Sequence, residues 1–372
     1  MPTWRARRNA VIRLAGLASA AGLPFQGRAL AAARATNFYP TVRPRALVFP
    51  RDFGAHPDFR TEWWYLTGWL GQGAQAVGFQ VTFFRSKTRH PQNNPSRFAP
   101  KQLLFAHAAL AITGNQQLLH ADRAARAGVA GASFSDTDTQ VQIGNWQLKR
   151  TVQSGQEAYI AVIPAGDFSL EFDARTLIPP VLRGENGYSR KGPSPELASF
   201  YYSRPQMQVR AKVGYAGKVH EHSGHAWLDH EWSSSLLMSG AVGWDWIGIN
   251  LSEGGSLMAF RIRDAAGNTL WRHADWRDAQ GRVVHRSYQD PEWVVAQRWR
   301  SPRSFGEYSV GFTLRIQGLE YDIVPMMHDQ EVDARASTGG FYWEGAVTLL
   351  RKGQALGRGY LELTGYGEAL AL

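Results

Sequence analysis

The chain has 372 residues, of which 44% are hydrophobic and 12% aromatic, with no cysteine and a formal charge of +10. This composition excludes a disordered chain, disulfide bonds, thiolate metal sites and cysteine nucleophiles. Five arginines and no acid fall within residues 1–31, so half of the positive excess belongs to that leader, and no nucleic-acid partner is expected.

The leader reads as a targeting segment. A basic stretch ends in Arg7-Arg8, a mildly apolar run follows from Ala10 to Leu23, interrupted by Arg13, and Ala29-Leu30-Ala31 supplies a small-x-small cleavage pattern. That order matches a secretory signal of the twin-arginine type over residues 1–31 and an expected periplasmic or secreted location. No apolar run elsewhere is long enough for a membrane-spanning helix, so no membrane span is expected.

From Asn37 onward helical periodicity almost vanishes. Short runs rich in β-branched and aromatic residues recur between glycine and proline, as in Glu62–Trp69, Ala76–Phe84, Phe105–Ile112, Gln206–Val213, Trp244–Leu251 and Phe341–Leu350. This is the pattern of an all-β chain of sandwich or barrel type. Its length favours two domains, 37–205 and 206–372, with the junction placed near Pro205 after the proline-rich stretch Ile178–Pro195.

Two stretches concentrate chemistry. In His220–Trp246 four histidines, several acids and four tryptophans lie close together. On a strand His225, Trp227, Asp229 and Glu231 share one face, and Ala226, Leu228, His230 and Trp232 share the other. Asp245 sits between Trp244 and Trp246, and a carboxyl beside indoles has its protonation shifted by desolvation. In His56–Tyr65 the same alternation sets Glu62, Trp64 and Leu66 against Trp63, Tyr65 and Thr67. Tyr201 and Tyr202 offer hydroxyls at an aromatic corner before Pro205. His220-x-His222 admits a metal reading, although Ser223-Gly224 interrupts the strand. Neither GxSxG, HExxH nor a phosphate-binding glycine loop occurs, so serine-hydrolase and nucleotide chemistry lose support and no cofactor is expected.

Several of these motifs carry a resemblance. HPDFRTEWWYLTG (His56–Gly68), SFYYSRPQM (Ser199–Met207), GHAWLDHEWSSS (Gly224–Ser235), GWDW (Gly243–Trp246), WEGAV (Trp343–Val347) and GRGYLELTGY (Gly357–Tyr366) together resemble the AttH / carotenoid 1,2-hydratase-like family. The resemblance implies two lipocalin-like (calycin) β-barrel domains able to hold a hydrophobic small molecule or lipid. For the hydratase branch it implies Asp245 as general acid toward a carbon–carbon double bond, Trp227 as wall and His225 as water-orienting partner. Glu62, Trp64, Tyr65, Tyr201, Tyr202, Trp244, Trp246 and Trp343 are the expected ligand-binding residues. That branch tends to place a tyrosine two positions before the aspartate, where this chain has Gly243, so the AttH-type branch is the nearer resemblance.

Three readings stay open at this point. The first is an exported module binding an isoprenoid or lipid, with an envelope ABC-type transporter as the partner the resemblance suggests. The second is a hydratase or cyclase acting on a polyene through Asp245. The third is a metal-dependent hydrolase using the His220–Glu231 cluster.

Overall fold

The computed structural model describes residues 38–370 apart from 92 and 97, so the leader lies outside the described residues. Strands dominate, and among the described residues the helical turns are short 3-10 pieces such as Arg51–Phe53. No helix in this range is long and apolar enough to cross a membrane.

The strands form two antiparallel sheets, one of 13 strands and one of 10. The first runs from Gln117–Arg126 through Gln102–Ile112, Val77–Lys87, Thr61–Leu70, Lys218–Ser235 and Ala198–Tyr215 to Phe168–Arg175, and ends at Ser133–Phe134. Its two ends meet where Arg123 Nη1, on the edge strand, donates to the Ile143 carbonyl at 2.9 Å. Phe79 and Phe172 approach to 5.3 Å across the interior of the rolled sheet. The second sheet centres on Ala241–Leu251, Ser256–Asp264, Gln354–Leu363 and Phe341–Arg351. It curls likewise, so that Arg261 lies over the ring of Trp293 on the far edge strand Glu292–Arg300. The fold is all-β, with two lipocalin-like barrels.

Local sequence explains the curvature and the cores. Phe168–Arg175 alternates Phe168, Leu170, Phe172 and Ala174 inward with Ser169, Glu171, Asp173 and Arg175 outward, as a half-buried strand must. Side chains pack both barrel interiors. Leu66, Phe79, Val81, Leu110 and Leu228 pack the first, and Ile247, Phe312, Trp343 and Leu361 the second.

The chain passes from one sheet to the other between Ser235 and Ala241. Pro205, the expected junction, instead lies inside Ala198–Tyr215, at the register shift between Arg204 and Met207. A bulge is where a strand tolerates a residue without an N–H donor.

The sheets touch closely. A Cβ on Gly78 would stand 2.7 Å from the Ala346 Cβ and 2.8 Å from the Tyr360 hydroxyl. Trp69 Nε1 donates to the Gly359 carbonyl at 2.9 Å, and Asn250 Nδ2 to the Ala226 carbonyl at 3.0 Å. Arg183 of the first sheet's margin faces Asp275 of the second at 3.4 Å, both fully buried. Around this seam both faces of Trp227–Ser233 are buried, one over the barrel core and one against the second sheet.

Candidate functional site

Between the sheets lies a cavity of about 540 Å³, within the usual size of a small-molecule site. Strand register builds its walls. On the first sheet, one cross-strand row runs Tyr201, Glu231, Trp63, Phe84, Phe105. The next row on the same face runs Ser203, Asp229, Tyr65, Thr82, His107. Opposite them the second sheet presents Phe260, Trp246, Glu362 and Glu344 in a single row. Period-2 alternation places each of these side chains on one face, and pairing aligns them across strands.

Five carboxyls line this cavity, four of them on strands and Glu368 beyond the last strand. Asp229 accepts from Trp227 Nε1 at 2.7 Å, Tyr201 OH at 2.7 Å and Ser203 Oγ at 2.5 Å. Burial pushes its carboxyl up to about 7, against those donors and the nearby Arg183 charge. Glu231 accepts from Ser199 Oγ and pairs with Lys191 Nζ at 2.8 Å. Glu344 and Glu362 stand directly opposite each other on adjacent strands, where Cβ atoms lie roughly 5 Å apart. Burial raises both, Glu362 to about 7 and Glu344 well above the ordinary carboxylate range, with the charge of Glu362 adding to the rise at Glu344. Such a pair holds a proton at neutral pH and titrates as a unit.

The surroundings are aromatic and phenolic. Tyr65 is 5% exposed and its hydroxyl lies beside the Glu344 carboxyl. Burial, followed by the charges of Glu344 and Glu362, holds that phenol well above its usual value. His107 contacts Tyr342 OH at 2.6 Å and Ser337 Oγ at 2.8 Å, and burial lowers it to about 4, so the imidazole is neutral. The arrangement sets a Glu344–Glu362 pair that shares a proton, with Glu344 held the higher of the two, and an Asp229 raised to about 7 and held by three donors, around one apolar space. Groups driven apart in this way can serve as acid and base in one reaction.

The AttH-like family model matches residues 40–366, nearly all of the described chain. The chain belongs to the AttH-like family. An AttH-type protein of Nitrosomonas europaea shares its structure at TM-score 0.80 and 44% identity, over 88% of this chain and 99% of that one. Kievitone hydratase from Nectria haematococca superposes at TM-score 0.64 and 14% identity, over 89% and 94% of the two chains. CghA, solved with Sch210972, does so at TM-score 0.56 and 11% identity, over 90% and 97%. The last two likenesses concern the fold. No curated protein matches.

Against this family background, the residues singled out from the sequence divide into two groups. Tyr65, Trp244 and Trp246 line the cavity. Tyr201 stands behind Asp229, accepting from Trp246 Nε1 at 3.1 Å, and Trp227 buttresses the same carboxyl. Asp245 does not face the cavity. It is 0% exposed, held by Arg261 Nε at 2.6 Å and Arg263 Nε at 3.0 Å, so its charge is committed to two guanidiniums. Alternation explains the correction, since Trp244 and Trp246 take the cavity face and Asp245 the opposite one. His225 is exposed near the middle of its strand and is not among the residues lining the cavity.

Glu62, Trp64, Tyr202 and Trp343 also point away from the cavity. Trp64 packs into the first barrel and stacks on His230 with centroids 4.7 Å apart. Tyr202 joins Phe49 and Phe53 on the same sheet face as His230 and Trp64, and Trp343 fills the second barrel, donating to the His328 carbonyl. Glu62 accepts from Arg85 Nε at 2.8 Å and contacts His56 Nδ1 at 2.8 Å and His230 Nε2 at 2.9 Å.

His56, Glu62 and His230 are the one triple of potential metal ligands that comes together among the described residues. Each facing atom already has a protein partner, and the Arg85 guanidinium supplies the positive charge, so the group reads as a hydrogen-bonded knot. The His220–Glu231 cluster does not form one ligand set. His220 stacks on Tyr215 and His222, while Glu231 at the other end of the strand pairs with Lys191.

The acids that do meet the cavity had a partial signal. Asp229 and Glu231 share the predicted face with Trp227. Glu344 and Glu362 each sit among aromatic residues in the WEGAV and GRGYLELTGY motifs, but nothing in those motifs states that the two are neighbours.

Proposed function

We propose that this protein binds a hydrophobic, unsaturated small molecule in the cavity between its barrels and moves protons at a carbon–carbon double bond. The observation that carries the reading is the Glu344–Glu362 pair, opposed across a strand pair and facing indole and phenyl walls. In the forward sense the shared proton goes to one olefinic carbon, leaving a cation at the other. The faces of Trp63, Trp244 and Trp246 stabilise that cation, by roughly 0.5–2 kcal/mol each where well placed. Asp229, oriented by three donors and titrating at about 7, in its ionised form takes a proton from the attacking water or from a neighbouring carbon. Water capture gives a hydration and proton loss gives an isomerisation or cyclisation. Hydratase chemistry in a relative of the same fold, by its name, agrees with this class.

The reading replaces Asp245 with Glu344 and Glu362 as the acid. It keeps the expected ligand class, apolar and isoprenoid or lipid-like. It also includes export, on the strength of the Arg7-Arg8 leader.

The test begins with native mass spectrometry of the purified protein to identify the molecule it carries. That molecule is then incubated with protein in deuterated water, and deuterium at the olefinic carbons is followed. Wild-type protein is expected to incorporate deuterium, and Glu344→Gln with Glu362→Gln together is expected to stop incorporation while ligand uptake persists. Equal incorporation by the double variant overturns the proposal.

A further inference from the structure

Three cations line the cavity, but Arg85 is paired with Glu62 and Arg60 lies over the ring of Tyr39. Of its deep carboxyls only Glu231 has a cavity-facing cation, Lys191. The Arg183 guanidinium near Asp229 lies behind it, engaged with Asp275 and Ser203. Among the described residues no lysine, arginine or histidine forms an ion pair with Glu344 or Glu362. Acids placed beside aromatic faces without a cation are the two halves of an ammonium site, because carboxylate and π-face both attract positive charge.

The chain supplies an internal precedent. Lys191 is itself an alkylammonium lodged in this wall, with Nζ 2.8 Å from Glu231 and 4.2 Å from the centroid of Phe260. Tyr201 presents its ring to the same Nζ at 5.1 Å. Farther along the same cavity Glu362 stands opposite Trp246 and is hydrogen-bonded to Trp244, so carboxyl and indoles again lie side by side. Tyr65 and Tyr342 beside it are neutral phenols, and His107 is the neutral imidazole behind Tyr342.

We propose that the cavity binds organic cations, with an ammonium group seated against Glu344, Glu362 and the indoles of Trp244 and Trp246, and its apolar body toward Phe84 and Phe105. The inference shares the cavity with the proposed function and does not require turnover. An ammonium ion would occupy the position of the cation that protonation of a double bond creates.

Benzyltrimethylammonium and its uncharged carbon isostere, neopentylbenzene, have nearly the same shape and test this directly. Quenching of the cavity tryptophans gives both affinities. Wild-type protein is expected to prefer the ammonium by at least about tenfold, and the Glu344→Gln/Glu362→Gln variant to lose that preference while still binding neopentylbenzene. Equal affinity for the two probes in wild-type protein, no binding of either, or a preference that survives in the variant overturns the inference. The wild-type comparison stands even if the variant fails to fold. Deuterium incorporation without ammonium preference removes this inference alone, and ammonium preference without incorporation removes only the proposed function.

Discussion

Glu344 and Glu362 oppose each other across an antiparallel strand pair and share one wall of the cavity with Trp246. Like charges so placed cannot both ionise cheaply, and the folded protein keeps protons that the unfolded chain releases. A carboxyl raised on folding contributes stability that is full below its unfolded value and is lost as pH rises through its folded value. For Glu362 that window runs from about 4.5 to about 7, and Asp229, raised from 3.8 to about 7, acts with the same sign. The melting temperature is therefore expected to fall as pH is taken from 5 to 8. Glu362→Gln should flatten the slope, with a difference on the order of 1–3 kcal/mol between the ends of the range. Calorimetry across this range checks it, and parallel curves for the two proteins would contradict it.

Tyr65 buries its hydroxyl beside Glu344, whose carboxyl it draws down against the rise that burial causes. Losing one partner of a buried polar contact costs about 1–3 kcal/mol. Tyr65→Phe is expected to lower stability in urea denaturation and to weaken ligand binding in the same preparation. A gain in stability would mean that the hydroxyl is unpaired in the folded protein.

Asp245 neutralises Arg261 and Arg263 in the second barrel. Asp245→Asn strands two buried guanidiniums, and breaking a buried pair costs about 3–5 kcal/mol. The expected result is a large stability loss with the cavity's affinity for its ligand unchanged in whatever folds. Loss of affinity in a protein of normal stability would restore Asp245 to the site.

Gly78 lies at a close approach of the two sheets. Gly78→Ala would set a methyl 2.7 Å from the Ala346 Cβ, a contact that backbone shifts must relieve. Overpacking of this kind costs about 1–3 kcal/mol. The variant is expected to melt earlier and to exchange its seam amides faster, notably around Trp69 and Gly359, than those inside either barrel. Uniform exchange would show that the seam does not bear the contact.

The sequence alone determined the all-β class and the division of each strand into two faces, because side-chain period 2 is a local property of the backbone. It placed Trp227, Asp229 and Glu231 together, and Trp63 with Tyr65, without any knowledge of the partner strands. It could not say which face meets a cavity. Asp245, flanked by indoles, looked like a buried acid until Arg261 and Arg263 arrived from the neighbouring strand, and Pro205 looked like a boundary until a bulge absorbed it. Only tertiary structure decided that Glu344 and Glu362 stand opposite each other and that Asp229 faces the same space. Register and the approach of two sheets are set by contacts between distant segments, and no local pattern encodes which distant carboxyls will be forced to share a proton.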